Sequence, residues 1–258
     1  MSWLFGLITN KPADLSLSLR GPTEHQLHAN PAVAWGIGWY EGSRPRVAKQ
    51  VHTAGTLSAG RSEFSPGTSR LFLVHFEDNV SGTEKETDLH PFHYRHWLFA
   101  HTGMLDRDTF VPLLEPAHLQ SLNGSSSSEV FFHWIMQNIK KTRDLVPSLL
   151  DSLRDVSQNE LSFLLSNGRW LFAYSRGHTL YYTERRFPVS AEAFSYNVRT
   201  VDAVISSETL ANENVIVVST DKLSNEPWEP IPDGHLLAVT PRLDRILIDL
   251  TENSASPT

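Results

Sequence analysis

The sequence predicts an α+β fold in which sheets pack on one another and helices lie outside. Three observations lead to this class. β-prone runs fill the first 105 residues, helical patterns lie between residues 125 and 167, and β-prone runs return after residue 169. Strands that are grouped apart from helices are typical of α+β domains and not of alternating parallel folds.

Four strands are predicted in the first part of the chain. β-branched and aromatic residues dominate these runs, and turn residues such as "NKPAD" bound them. The run "SRLFLVHFE" is almost entirely apolar, which indicates a strand covered on both faces. The predicted strands span 2–9, 34–42, 69–77 and 96–105, while the segment 16–28 fits no single pattern.

The middle of the chain has helical patterns, and the end returns to strand patterns. Apolar residues at helical spacing, with Ser126 and Glu129 in capping-box positions, predict a helix over 125–143. Further helices are predicted over 144–156 and 159–167, and a hairpin joined through "SRGH" over 169–185. The last predicted strands are 214–220, 235–240 and 245–250, and residues 251–258 have the composition of a disordered tail.

Composition limits the classes of function. A net charge of −7 argues against nucleic-acid binding. The absence of cysteine excludes disulfides, thiolate metal sites and a cysteine nucleophile. No run approaches the ~18–20 apolar residues of a membrane span, and the start of the chain lacks the basic region of a signal peptide. We therefore expect a cytoplasmic protein that binds neither nucleic acid nor membrane.

The order of the motifs resembles the class II glutamine amidotransferases, most of all their short stand-alone members. The resemblance runs from Ser2 to about Gly234 and rests on these segments in this order: "LFG", "WGIGWYEG", "VHFE", "LHPFHYRHWLFAHTG", "SSSSE", "NGRWLFAYS" and "VVST" with "EPWEPIPDG". It implies an N-terminal-nucleophile hydrolase fold, which is a four-layer αββα sandwich. It also implies one domain over residues 1–250, removal of Met1, and no cofactor.

The family's chemistry depends on an amino-terminal cysteine whose own α-amine is the general base. An asparagine side chain and a glycine N–H hold the oxyanion, while an arginine and an aspartate bind the two ends of glutamine. The matching positions in this chain are Ser2 for the cysteine, Thr102 and Gly103 for the oxyanion hole, Glu77 for the arginine and Ser127 for the aspartate. Four of these five residue types therefore differ from the family's pattern.

Free glutamine is expected to bind poorly, because Glu77 would repel the substrate's α-carboxylate and Ser127 would not attract its ammonium group. His75, Trp35 and Gly36, which also lie in the matching motifs, complete the candidate substrate-binding residues. The expected substrate is a small amide or an amino-acid-like molecule, with a cationic or uncharged group where glutamine has its carboxylate.

Two functions remain open from the sequence. In the first, Ser2 is the nucleophile of an amide hydrolase or acyl transferase, as serine is in other enzymes with an amino-terminal nucleophile. In the second, the chain is a catalytically silent relative that serves as a binding or regulatory subunit for a partner protein. Ser2 follows Met1 and is small enough for methionine removal in either case.

The histidines and serines also have alternative interpretations. Histidines recur at every third position in "HPFHYRH", at His90, His93 and His96, and zinc sites do use three histidines. Pro91 argues against a helix that would gather them on one face, so structural histidines are the favoured interpretation and no metal is expected. The serine run 125–128 is interpreted as an N-cap and loop.

Overall fold

The structure is a computed structural model that describes residues 2–19, 32–53, 62–78, 80–154, 156, 160–187, 194–199 and 201–251. The predicted disordered tail lies outside these ranges except for its first residue, and so do residues 20–28 of the segment without a single pattern. Within these ranges, no helix combines the length and the apolar character that a membrane span requires.

Antiparallel strands are the main regular secondary structure of the described chain. They are, in order, β1 Ser2–Ala13, β2 Ser16–Leu19, β3 Ala32–Glu41, β4 Arg44–Thr53, β5 Ser62–Phe64, β6 Ser69–Asp78, β7 Phe92–Tyr94, β8 Trp97–Gly103, β9 Leu161–Ser166, β10 Leu171–Ser175, β11 Tyr181–Arg185, β12 Phe194–Val198, β13 Ala203–Ser207, β14 Val215–Ser219, β15 Glu229–Pro230, β16 His235–Val239 and β17 Arg245–Asp249. The α-helices are α1 Arg107–Phe110, α2 Pro116–Leu119, α3 Ser127–Thr142 and α4 Leu145–Arg154.

The strands form three sheets. A seven-stranded sheet has the order β15-β11-β14-β1-β6-β3-β4, so the amino-terminal strand lies at its centre. A six-stranded sheet has the order β17-β16-β10-β9-β8-β7, and a four-stranded sheet has the order β12-β13-β2-β5. Strand β6 pairs with β1 from Ser2 onward, whereas the pairing with β14 begins only at Phe5, so one side of Ser2 is not covered by a paired strand.

Side-chain alternation along β1 builds two different layers of the core. Leu4 and Ile8 belong to a buried cluster that joins the seven-stranded sheet to the six-stranded sheet. Trp3, Phe5 and Leu7 belong to a second cluster, which joins the seven-stranded sheet to the four-stranded sheet. Successive side chains of a strand point to opposite faces, so both faces of β1 are covered.

Helices α3 and α4 cover the outer face of the six-stranded sheet, where their apolar residues share a buried cluster with strands β8 and β9. The Ser126 hydroxyl caps α3 by accepting a hydrogen bond from the Ser128 N–H at 3.2 Å. The serine run is therefore a cap and loop, as predicted. These layers give the α+β sandwich that the sequence indicated. In the described residues, the four-stranded sheet packs on the face of the seven-stranded sheet that points away from the six-stranded sheet.

Two predictions of local structure are wrong. The segment 159–167 contains strand β9 and not a helix, because its short apolar run is buried on both faces, a pattern that periodicity alone cannot separate from a buried helix. The segment 169–185 is not a hairpin, since β10 pairs with β9 and β16 while β11 pairs with β14 and β15. The "SRGH" connection instead carries the chain from one large sheet to the other.

Candidate active site

Ser2 is the first residue of β1, and its hydroxyl faces the six-stranded sheet. The Ser2 Oγ atom lies 2.5 Å from Oγ1 of Thr102 at the end of β8, which is hydrogen-bond distance. The two residues are 100 positions apart in the chain. The structure therefore brings together two residues that the sequence placed in the candidate catalytic set.

Gly103 follows Thr102 and ends β8. Its φ angle is +120°, and a Cβ atom at this position would lie 2.1 Å from the backbone oxygen of Glu160. Both observations require glycine here, because other residues avoid this backbone conformation and would collide with Glu160. Thr102 is 6% exposed, so the hydroxyl that meets Ser2 is largely shielded from water.

Glu77 is the cross-strand partner of Ser2 on β6 and of Ala34 on β3. Directly paired residues of an antiparallel sheet point to the same face, so Glu77 and Ser2 lie side by side. Burial raises the pKa of the Glu77 carboxyl, and the positive charge of the chain's amino terminus opposes part of this rise. The carboxyl group of Glu77 thus lies beside Ser2, at the position where the motif resemblance predicts an arginine.

A cavity of about 520 Å³ opens on the other side of Ser2. It is lined by Ser2, Trp3, Thr102, Gly103, Met104, Glu160, His178, Thr179, Tyr181, Val201, Thr220 and Asp221. Thr220 and Asp221 directly follow β14, the neighbour of β1 opposite to β6. Glu77 and the other predicted substrate-binding residues are not part of this lining.

Glu160, His178, Tyr181 and Asp221 were missed by the reasoning from sequence. Nε2 of His178 lies 3.1 Å from a carboxylate oxygen of Glu160, and this pair closes one wall of the cavity. These residues belong to separate loops and strand ends, and no motif in the sequence links them to Ser2. The polar pair Thr220–Asp221, which follows the apolar run of β14, is the one local signal that could have pointed to this wall.

Ser127 is the first residue of α3. The loop before it is held by Asp88, whose carboxylate accepts hydrogen bonds from the N–H groups of Ser125 at 2.5 Å and of Ser126 at 2.9 Å. Ser127 is half-buried at this helix start. Its role in substrate binding remains a prediction.

His75, His90 and His101 form a buried cluster behind the site. Nε2 of His90 lies 3.0 Å from Nδ1 of His101, and the ring centres of His75 and His90 are 4.3 Å apart. Burial lowers the pKa of His75 to about 3 and that of His101 to about 4, and it holds the pKa of His90 well below its usual value. The three rings are therefore neutral near pH 7.

The alternative metal site drew on some of the same histidines. His93 and His96 are exposed, whereas His90 is buried with His75 and His101. Among the residues that the structure describes, no group of three or more histidine and carboxylate side chains is arranged to hold a metal ion.

Trp35 and Gly36 lie on β3, where both are packed against other parts of the protein. Trp35 is 3% exposed and stacks on His52, within the core cluster next to the four-stranded sheet. Gly36 is pressed against the backbone of His90, since a Cβ atom there would lie 1.9 Å from the His90 carbonyl oxygen. Neither residue lines the cavity, so the structure adds no support for direct contact with a substrate.

Comparison with known proteins extends the assignment over almost the whole chain. The profile of the family described as "Glutamine amidotransferases class-II" matches residues 1–248. A protein of Haemophilus influenzae named "Putative glutamine amidotransferase" is 24% identical over 252 residues, which cover 91% of this chain and 82% of that protein. A "Gamma-glutamyl-hercynylcysteine sulfoxide hydrolase" of Mycobacterium tuberculosis is 22% identical, covering 91% of this chain and 86% of that protein.

Solved structures show the same fold. A crystal structure described as a "predicted glutamine amidotransferase from Pseudomonas aeruginosa PA01" superposes with a TM-score of 0.72 at 23% identity, covering 91% of this chain and 96% of that one. The glutamine phosphoribosylpyrophosphate amidotransferase of B. subtilis gives a TM-score of 0.55 at 14% identity, covering 97% of this chain and 50% of that one. The chain belongs to the class II glutamine amidotransferase family.

Proposed function

We propose that the chain is an amide hydrolase or acyl transferase in which Ser2, as the amino-terminal residue, is the nucleophile, and that it uses free glutamine poorly. The observation that carries this proposal is the hydrogen bond between the hydroxyls of Ser2 and Thr102 beside a cavity of about 520 Å³. A nucleophile at the edge of a cavity of this size fits a small-molecule site.

The reaction requires removal of Met1, which frees the α-amine of Ser2. An α-amine has a pKa of about 8 and serves as a general base near neutral pH more readily than a lysine side chain. The amine takes the proton of Ser2 Oγ as the oxygen bonds to the substrate's carbonyl carbon. It then gives that proton to the leaving nitrogen as the C–N bond breaks. Water attacks the resulting ester by the same route, which releases the acid and restores Ser2.

The oxyanion of the tetrahedral intermediate needs hydrogen-bond donors beside Ser2. The Gly103 N–H and the Thr102 hydroxyl are the candidates on this chain, and the geometry of Gly103 is fixed by its contact with Glu160. Loss of one oxyanion donor costs about 10²–10³ in rate. A hydroxyl in place of the family's amide therefore fits a slower enzyme or one that is tuned to a different substrate.

Glu77 supports the exclusion of free glutamine. Its carboxyl lies beside Ser2 and is partly shielded from water. A substrate carboxylate within ~4 Å of it would be repelled by about 1 kcal/mol in water and by more in a drier site. The acyl half of the favoured substrate therefore carries a cationic or uncharged group near Glu77.

Intact mass spectrometry and covalent labelling test the proposal. We expect loss of Met1, and we expect phenylmethanesulfonyl fluoride to modify residue 2. Ser2→Ala abolishes the adduct, whereas Ser195→Ala, at an exposed serine on β12, leaves it unchanged. Ammonia release from glutamine at ordinary enzyme rates that Ser2→Ala abolishes would refute the poor use of glutamine. An intact Met1 or an unreactive Ser2 would refute the nucleophile.

The second candidate is a silent scaffold that binds or regulates a partner protein. It is favoured by the residues at positions 77 and 127, which no longer provide the family's charges for binding glutamine. An unprocessed, unlabelled chain that still binds a small amide or a partner protein would select this function. The variant Ser2→Cys combined with Glu77→Arg, Thr102→Asn and Ser127→Asp tests whether the rest of the glutamine site is intact.

A further inference from the structure

A second cavity adjoins the one beside Ser2. It has a volume of about 570 Å³ and is lined by Asn197, Arg199, Asp221, Lys222, Leu223, Ser224 and Asn225. Asp221 lines both cavities, and Nζ of Lys222 lies 5.0 Å from the ring centre of Tyr181, which lines the first. The two cavities therefore meet at Asp221, and the first of them reaches Ser2; together they are called the depression.

The position of this depression relative to β1 indicates which half of a substrate it would hold. Glu77 lies on β6, on one side of β1, whereas the cavity residues Thr220 and Asp221 follow β14 on the other side. The carbonyl carbon of an amide carries its acyl chain and its nitrogen about 120° apart. If the acyl chain lies toward Glu77, the nitrogen and its substituent point toward β14.

The cavity beside Ser2, at about 520 Å³, is much larger than ammonia requires. A primary amide such as glutamine releases only ammonia, which needs space for one small molecule. Each cavity here is within the range of sites that bind drug-sized ligands, about 300–1,000 Å³. A depression of this extent on the nitrogen side of the scissile bond fits a substituted amine.

Charge defines the class of that amine. Arg199 and Lys222 are exposed in the second cavity, and within the described part of the chain neither one forms an ion pair. Their charges exceed that of the single carboxylate, Asp221, in the same lining. An arginine beside a lysine favours a carboxylate or another small anion.

We propose that the two cavities form the leaving-group site, and that the substrate is a secondary amide whose amine half carries a carboxylate, as an amino acid does. The amine half lies in the cavity beside Ser2, and its carboxylate reaches Arg199 and Lys222. This inference rests on the proposed function, because it takes Ser2 as the attacking group.

Two matched amines test the site without any chemical step. 5-Amino-2-nitrobenzoate and 4-nitroaniline differ only by a carboxylate, and both absorb visible light, so equilibrium dialysis measures their binding. We expect 5-amino-2-nitrobenzoate to bind about tenfold more tightly, as expected for hydrogen bonds to charged groups in a partly exposed site. The preference should be the same in Ser2→Ala protein, since binding needs no nucleophile.

Charge-reversal variants identify the residues responsible. Arg199→Glu combined with Lys222→Glu should abolish the tenfold preference, while Arg169→Glu, at another exposed arginine, should retain it. The variant residues are exposed, and unchanged thermal unfolding verifies the fold. If the double variant unfolds, the single changes Arg199→Gln and Lys222→Gln should each reduce the preference.

Two results would overturn the site: a preference below twofold in the wild-type protein, or a preference that survives the charge reversals. The proposed nucleophile is judged separately, by labelling of Ser2. 5-Amino-2-nitrobenzoate should slow this labelling in the wild-type protein and not in the double variant, which ties the site to Ser2. Equal labelling with and without the amine would refute the assignment as a leaving-group site.

Discussion

Replacement of Gly36 by alanine probes how closely the protein packs behind the Ser2 site. A Cβ atom at residue 36 would lie 1.9 Å from the carbonyl oxygen of His90 and 3.0 Å from Cδ of Pro91. Non-bonded carbon and oxygen atoms approach to about 3 Å at the closest, so the backbone at His90 must move by about 1 Å. The obstacle is backbone and not the end of a flexible side chain, so no rotamer change relieves it.

The magnitude follows from two contributions. An extra methyl group in a packed core costs about 1–3 kcal/mol, and backbone contacts lie at the upper end of this range. A shift of His90 also lengthens its 3.0 Å contact with His101, and a lost hydrogen bond adds about 1 kcal/mol. We expect Gly36→Ala to lower the free energy of unfolding by about 3–4 kcal/mol, which for a chain of this size lowers Tm by about 6–16 °C.

Differential scanning calorimetry measures the effect, with Gly67→Ala as the matched control. A Cβ atom added at Gly67 would have open space around it, since its nearest neighbour, Nε1 of Trp39, would be 4.0 Å away. The control should change Tm by less than about 2 °C, as is usual for exposed positions. A Gly36→Ala protein whose Tm differs from wild type by no more than the control's would refute the close packing of β3 against residue 90.

Three further predictions concern charge and capping. Burial raises the pKa of Glu77, so its contribution to stability is present below the unfolded pKa and is lost as pH rises through the folded pKa. In urea unfolding, Glu77→Gln should therefore gain stability relative to wild type as pH rises above the unfolded pKa of about 4.3, and a difference that does not change with pH would contradict this. Burial lowers the pKa of His101 to about 4, so its contribution to the free energy of unfolding is present above the unfolded pKa of ~6.5. This contribution should decline by about 1.4 kcal/mol for each pH unit below that value. A free energy of unfolding that is the same at about pH 7 and pH 5 would count against a buried neutral ring. Asp88→Ala should lower the free energy of unfolding by about 1–2 kcal/mol, because two N–H groups before α3 lose their acceptor. Asp108→Ala is the control, and equal stability of the two variants would show that the loop does not depend on Asp88.

Local patterns predict the elements whose burial matches a simple periodicity. Helix α3 has a polar cap, an apolar stripe and a left-handed capping residue, Arg143, and its predicted bounds differ from the observed ones by one or two residues. Strand β6 is predictable because an apolar run bounded by polar residues fits a covered strand. The same reasoning gives the wrong element for the segment around β9. All six residues of "LSFLLS" are buried, so their hydrophobic pattern cannot separate a strand from a buried helix.

Some residues of the candidate site can be predicted from the sequence, and others cannot. Position 2, the Thr102–Gly103 pair and position 77 are identifiable by their places in a family's motif order, and the structure places Thr102 and Glu77 beside Ser2. The cavity residues near positions 160, 178 and 221 cannot be identified in this way, because only the order of strands in the sheets brings them close to Ser2. Nothing in their local sequence records that β14 lies next to β1.

The sequence by itself determined the family and the α+β class, and it predicts that the family's cysteine, arginine and aspartate are replaced in this chain. These are properties of residue type and order, and they do not depend on how distant segments meet. The tertiary structure decided which wall of the site each segment builds, since β10 and β11 diverge into separate sheets although they are close in the chain. That arrangement depends on long-range burial of both faces of β1, and it leaves Ser2 between the half-buried Glu77 carboxyl on one side and an open cavity on the other.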